Sequence, residues 1–250
     1  MRVAVVQVSG HWGHFRKPET NNNPLTHDLM TKTALIGQIG AVIGADRERM
    51  RPLFPQLSED LRYGIALRQR VWKQSWSFTL RRFDSGRAGL EVTDKGPRAF
   101  EFLREPCFLV VLALQAERSR SIFEEWLERL RAEESCFEPV LGLHNCPAEL
   151  ALIEEVEASP RQGDFRTPGF VPRDRRPRFD LGSPFRAGFE RLPTFQNSEM
   201  WNPPDRYVEV IYSDVPSQAA REGLSVPLLA GSGDHYRLKR AAGEEDWCLI

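Results

Sequence analysis

Apolar positions along this chain fall into runs whose period changes several times. Arg2 to Val8 is almost wholly apolar, with Val3 and Val5 alternating against Ala4, Val6 and Val8, the pattern of a strand covered on both faces. Thr31 to Gly44 instead places Leu35, Ile36, Ile39, Val42 and Ile43 on one helical stripe, with Thr31 or Thr33 available as the N-cap. Between the two, His11 to Asp28 is polar, rich in Asn, Pro and Gly, and reads as a long loop. Gly37, Gly40 and Gly44 share one face of the predicted helix. Each costs a helix interior about 1 kcal/mol relative to alanine, so close packing against a neighbouring element is expected to compensate.

Period two takes over at Tyr63. Tyr63, Ile65 and Leu67 oppose smaller or polar residues, and then Trp72, Trp76, Phe78 and Leu80 alternate with Lys73, Ser75, Ser77, Thr79 and Arg81, which predicts strands with one basic face. Asp84-Ser85-Gly86-Arg87 reads as a hairpin turn, Gly89 to Thr93 as the return, and Lys95-Gly96-Pro97 as a second turn. Cys107 to Leu114 is apolar throughout and predicts a central strand. A capping box, Ser121 with Glu124, opens a helix that carries Ile122, Phe123, Trp126, Leu127 and Leu130 on one stripe. Phe137 to Pro147 reads as a loop and Leu150 to Val156 as a fourth core strand.

The order strand, helix, two strands, helix, strand predicts an α+β, ferredoxin-like unit over residues 1–158, the frame also used by RNA-recognition domains. Ser159 to Pro204 is dense in Pro, Gly and Arg and reads as loop. A closing strand is expected at about 206–215 within a loop-rich C-terminal region, 159–250.

Composition narrows the function classes. At 250 residues, 41% hydrophobic and 28% charged, the chain is globular, and its longest apolar run, Cys107 to Leu114, falls far short of the roughly 20 residues a membrane helix needs. The N-terminal MRVAVVQVSGHW lacks the hydrophobic stretch of a signal peptide, so a cytoplasmic protein with no membrane partner is expected. Four cysteines, none in a C-x-x-C pair, point to reduced thiols. The net charge of -1 conceals a segregation: ten basic residues face four acidic ones between Arg62 and Arg104, whereas eleven glutamates face four arginines between Ala116 and Pro160. Such a chain suits a polyanion on one side and a protein partner on the other.

Candidate chemistry is sparse. His11-x-x-His14 and His144-x-Cys146 lack the spacing of a zinc module, no G-x-S-x-G elbow is present, and no metal or cofactor is expected. Metal-free cleavage of RNA needs only an imidazole, a cation and a phenol, which His14, Lys17 and Tyr63 could supply. The same residue types also make a phosphate-gripping loop, so an RNA binder and an endoribonuclease both remain open at this point.

The segment GHFRKPETNNNPLTHDLMTKTALIGQIGAVIG, Gly13 to Gly44, resembles the N-terminal signature of the CRISPR-associated Cas-five family of the RAMP superfamily. Weaker echoes follow in PVLGLHNCPAEL and FERLPTF. The resemblance implies a ferredoxin-like palm with a protruding β-hairpin thumb, placed at about 81–102. It also implies a subunit of a type I Cascade complex that binds and caps the 5′ repeat-derived handle of crRNA for RNA-guided DNA targeting. Its partners would be backbone subunits of the Cas-seven type, a large subunit of the Cas-eight type and, through the complex, target DNA. The HFRKP loop is more similar to branches that only bind the handle than to the branch that cleaves precursor RNA, so no catalytic residue is expected. Together with the basic segment, the resemblance nominates His14, Arg16, Lys17, Asn22, Lys32, Arg68, Arg70, Lys73, Arg81, Arg82, Arg87, Lys95, His144 and Asn145 as RNA-binding residues.

Overall fold

In the computed structural model, which describes residues 1–20, 23–86, 89–178, 186–199, 203–214 and 229–250, the N-terminal apolar run forms β1 (Arg2–Ser9), an inner strand of a six-stranded antiparallel sheet. Its neighbours are β6 (Cys107–Leu114) and β7 (Glu149–Thr167). β3 (Leu61–Leu67) lies outside β6, while β11 (Leu229–Arg240) and β12 (Gly243–Trp247) lie outside β7. The lack of period in β1 and β6 follows from burial of both faces. Ala4, Val6, Val8, Val110 and Leu112 join a core under three helices, whereas Val3, Val5, Val111 and Ala113 join a second core with Leu238, Trp247 and Leu249.

Those helices are α1 (Lys32–Ile43), α2 (Arg47–Asp60) and α3 (Arg120–Arg131). Thr31 caps α1, its hydroxyl accepting from the Ala34 N–H at 3.2 Å, and the chain leaves the helix through Gly44 in the left-handed region. Gly40 compensates by close approach to a neighbouring element, α2: a Cβ there would meet the Met50 side chain. Pro52 and Pro55 hide α2 from sequence inspection, yet Asp46 caps it and Met50, Leu53 and Leu57 form its buried stripe. On α3, burial of Phe123 and Leu127 contributes about 1.5–3 kcal/mol each.

Four expectations need correction. The capping box at Ser121 does not form, because α3 starts at Arg120 after a short 3₁₀ turn and the Ser119 hydroxyl instead donates to buried Asp60 at 2.6 Å. Lys95-Gly96-Pro97 is no turn: β4 (Lys73–Gly86) and β5 (Gly89–Arg104) pair without interruption from Lys73 with Leu103 to Gly86 with Gly89, apart from a bulge at Arg82/Phe83. Pro97 is tolerated because β2 (Trp12–Gly13) flanks β5 only at Leu103 and Arg104, and a missing N–H on an open edge costs little. The hairpin thus begins at Lys73, before the expected 81.

Among the described residues between Ser159 and Pro204, more than half are strand where loop was expected. β7 continues to Thr167, and β8 (Val171–Pro172) and β9 (Arg186–Phe195) flank β10 (Arg206–Asp214), the expected closing strand, in a second sheet. The tail is also structured. Ile250 and Tyr63 exchange both backbone hydrogen bonds at 3.0 Å, so the residues after β12 reach the opposite edge of the main sheet. The sheet therefore curls until its ends approach each other, and Trp247 is fully buried inside the curl. None of the described helices is long and apolar enough to cross a membrane.

Candidate nucleic-acid interface

The polar segment 11–28 folds back on itself. Phe15 and His27, and Lys17 and Leu25, are joined by backbone hydrogen bonds of 2.8 Å, and the Thr26 hydroxyl accepts from the Phe15 N–H at 2.8 Å. This folded loop meets the 139–148 loop, itself closed by Leu141 N–H to Cys146 O at 2.7 Å, through a bond from the His14 N–H to Leu141 O at 2.9 Å. Gly142 sits at φ +90 against the His14 carbonyl, an approach that only glycine allows. A groove of about 420 Å³ opens where the two loops meet the start of α1 and the base of the hairpin; Arg16, Thr31, Thr33, Phe100 and Leu143 line it. The aligned N–H groups of a helix start favour an anion there.

The nominated residues divide sharply. Arg16, Arg68, Arg81, His144 and Asn145 are exposed. His14 is buried between Phe100 and Phe102, its Nδ1 lies 2.7 Å from Glu101 O, and burial pushes its imidazole below the ordinary histidine range. Lys17 is held by buried Glu190 at 3.0 Å, and Glu190 also binds His27 at 2.7 Å. Arg70 lies 3.7 Å from Asp214 and covers the Trp72 ring. Lys73 contacts Asp28 at 2.5 Å and Glu101 at 3.1 Å and donates to Thr26 O, while Asp28 is further held by Tyr212. The predicted basic face of β4 is therefore neutralised at its base. Asn22, Arg87 and the side chains of Arg82 and Lys95 lie outside the described residues.

His14, Lys17 and Tyr63 are each engaged elsewhere: Tyr63 is fully buried on β3 against Phe170, and the other two serve the loop and the hairpin base. Arg98 and Arg104, counted in the basic segment but not nominated because the expected turn at Lys95-Gly96-Pro97 concealed the strand that presents them, are both exposed on β5.

Lys32 faces away from the groove. Its buried ammonium donates to Ser58 O at 2.8 Å at the edge of a second cleft, of about 1080 Å³, whose arginines are mostly matched by acids, as in Arg173 with Glu209 and Arg175 with Asp234. Burial, aided by Arg62 and Arg206, lowers the Lys32 amine to about 7. An unfolded chain keeps that proton to about pH 10.4, so between the two values the unfolded state binds more protons and stability rises with pH, by up to about 1.4 kcal/mol per unit. Below about pH 7 both states are protonated and the contribution is constant. Denaturation midpoints measured from about pH 7.5 to 9.5 should climb for the native chain and lose that climb in Lys32→Met; parallel profiles would refute the assignment.

Comparison with solved structures places this fold. A crystal structure of a CRISPR protein from Archaeoglobus fulgidus superimposes with a TM-score of 0.59 over 99% of both chains at 14% identity. A chain of a CRISPR RNA-guided surveillance complex matches 86% of this chain and 90% of its own length, with a TM-score of 0.50 and 13% identity. No family model matches the sequence, and no curated protein matches it. The chain has, then, a strand-rich α/β fold with a curled antiparallel sheet, a fold shared with CRISPR-associated proteins.

Proposed function

We propose that this chain is a Cas-five-like, non-catalytic subunit of a type I CRISPR Cascade complex, and that it binds and caps the 5′ repeat-derived handle of crRNA. In this reading β1, α1, β3, β6, α3 and β7 form a ferredoxin-like RAMP palm, the hairpin of β4 and β5 is the thumb, and the C-terminal strands complete the palm. Its partners are crRNA, Cas-seven type backbone subunits, a Cas-eight type large subunit and, through the complex, target DNA, all in the cytoplasm.

One observation carries the reading: the 11–28 loop, the 139–148 loop and the hairpin base converge on a single groove at the start of α1. The two loops are the segments whose sequences resemble the family, and they meet although more than a hundred residues separate them. Support also comes from the fold shared with a chain of an RNA-guided surveillance complex.

RNA that copurifies with the chain from cells carrying a repeat array should begin with a repeat-derived 5′ end. Affinity should fall with salt, with a log–log slope that Arg16→Ala reduces by about 0.7, the share of one single-strand phosphate contact. Labelled repeat RNA incubated with protein and chelator should stay intact. Absence of copurifying RNA would refute the binding role, and cleavage at one defined position would refute its non-catalytic character.

A further inference from the structure

The two faces of the hairpin differ in a way that its sequence conceals. Residues directly opposite in an antiparallel pair share a face. Trp76 stands opposite Phe100, Phe78 opposite Arg98, Leu80 opposite Gly96, and, across to β2, Arg104 opposite Trp12. The same side thus holds a row of aromatic residues and two exposed arginines, neither of which has an acidic partner among the described residues. No Asp or Glu occupies that side between Gln74 and Leu80 or between Gly96 and Arg104. On the other face, Lys73 is consumed by Asp28 and Glu101.

This aromatic face is open. Trp76 is 42% exposed, Leu80 48% and neighbouring Trp72 53%, although indoles are ordinarily well buried. Trp76 is held in a fixed attitude, with Trp12 edge-on at 4.9 Å and Phe78 at 6.5 Å with an interplanar angle of 28°. Arg70 covers the Trp72 ring at 4.6 Å. Phe100, at the foot of the row, also lines the groove beside Arg16.

We infer that this face is a stacking platform for unpaired bases of single-stranded RNA, with Trp72 and Trp76 receiving the bases and Arg98 and Arg104 their phosphates. The inference rests on the RNA-binding role proposed above and deepens it: the nucleic acid meets the aromatic side of the hairpin, not the Lys73 side. Charge complementarity selects this occupant, since the row carries unmatched cations only and continues into the groove. Fixed indoles beside free guanidinium groups are what sequence-tolerant single-strand binding needs.

The test compares two probes on the full chain, an oligouridylate of about ten nucleotides and an abasic ribose-phosphate oligomer of the same length. Trp72→Leu and Trp76→Leu should each weaken oligouridylate binding roughly tenfold while leaving the abasic oligomer within about twofold, and Trp76→Phe should restore most of the loss. Oligouridylate, but not the abasic oligomer, should quench tryptophan emission. Because Trp72 is exposed, its variant separates loss of stacking from loss of folding. Unchanged oligouridylate affinity, or an equal loss on both probes, would overturn the platform while leaving the RNA-binding role intact. Normal RNA binding with failed assembly with other subunits would mark a protein-covered face and also overturn it. Failure of the native chain to bind either probe would overturn both the platform and the role beneath it.

Discussion

Gly142→Ala is expected to destabilise the chain by about 2–6 kcal/mol and to release the groove that the two loops share. At φ +90 an L side chain is strained by about 1–3 kcal/mol. The added Cβ would also fall on the His14 carbonyl, a backbone atom fixed by its neighbours, and overpacking of that kind costs a further 1–3 kcal/mol or so. Relief requires the 139–148 loop to move off the 11–28 loop, which breaks the bond from the His14 N–H to Leu141 O. Urea denaturation should show the loss, and RNA retention should fall with it. Gly37→Ala is the matched control: its Cβ would meet nothing within 4 Å, and in the middle of α1 alanine should stabilise by about 0.5–1 kcal/mol. Equal midpoints for the two variants would refute the role assigned to Gly142.

Excision of the outer hairpin should impair assembly with the guide RNA and backbone subunits while leaving the rest of the chain folded. Arg81 and Lys95 are paired across β4 and β5, so a cut there, bridged by Asn-Gly, keeps the register of everything below it. The retained part holds the whole aromatic row from Phe102 to Phe78, whose ring centroids lie 5.9–6.2 Å apart, together with the Lys73 cluster. Thermal unfolding of the excised chain should stay close to that of the native chain, since the removed residues lie beyond those contacts. Normal incorporation of the excised chain into the complex would contradict the thumb reading, and unfolding would contradict the claim that the hairpin base is self-sufficient.

The candidate site was legible in the sequence only in part. The resemblance in Gly13 to Gly44 and the PVLGLHNCPAEL echo marked two loops that do meet, and Arg16, His144 and Asn145 are exposed there. Neither the resemblance, which nominated Lys17 and Lys32, nor the basic segment, which nominated Lys73, showed that Glu190, the Ser58 carbonyl, and Asp28 with Glu101 hold those amines. Formal charge is a local property of a residue, whereas free charge depends on partners brought from distant positions. Arg98 and Arg104, counted in the basic segment, were not nominated because a Gly-Pro step that signals a turn in isolation is tolerated on an open strand edge.

Hydrophobic patterning by itself determined β1, β3, β6, α1 and the buried stripe of α3, since each buries apolar side chains at a period set by its own backbone. It could not determine α2, whose prolines mimic a break, or β11 and β12, whose polar residues lie at the margin of the sheet. Nor could it show that Ile250 would pair with Tyr63 and curl the sheet upon itself. β11, β12 and the Ile250 pairing form because β7 and β3 each present an unpaired edge, and only the folded chain brings to that edge a segment able to satisfy its N–H and C=O groups, while α2 forms because its Met50, Leu53 and Leu57 stripe finds a core to bury in.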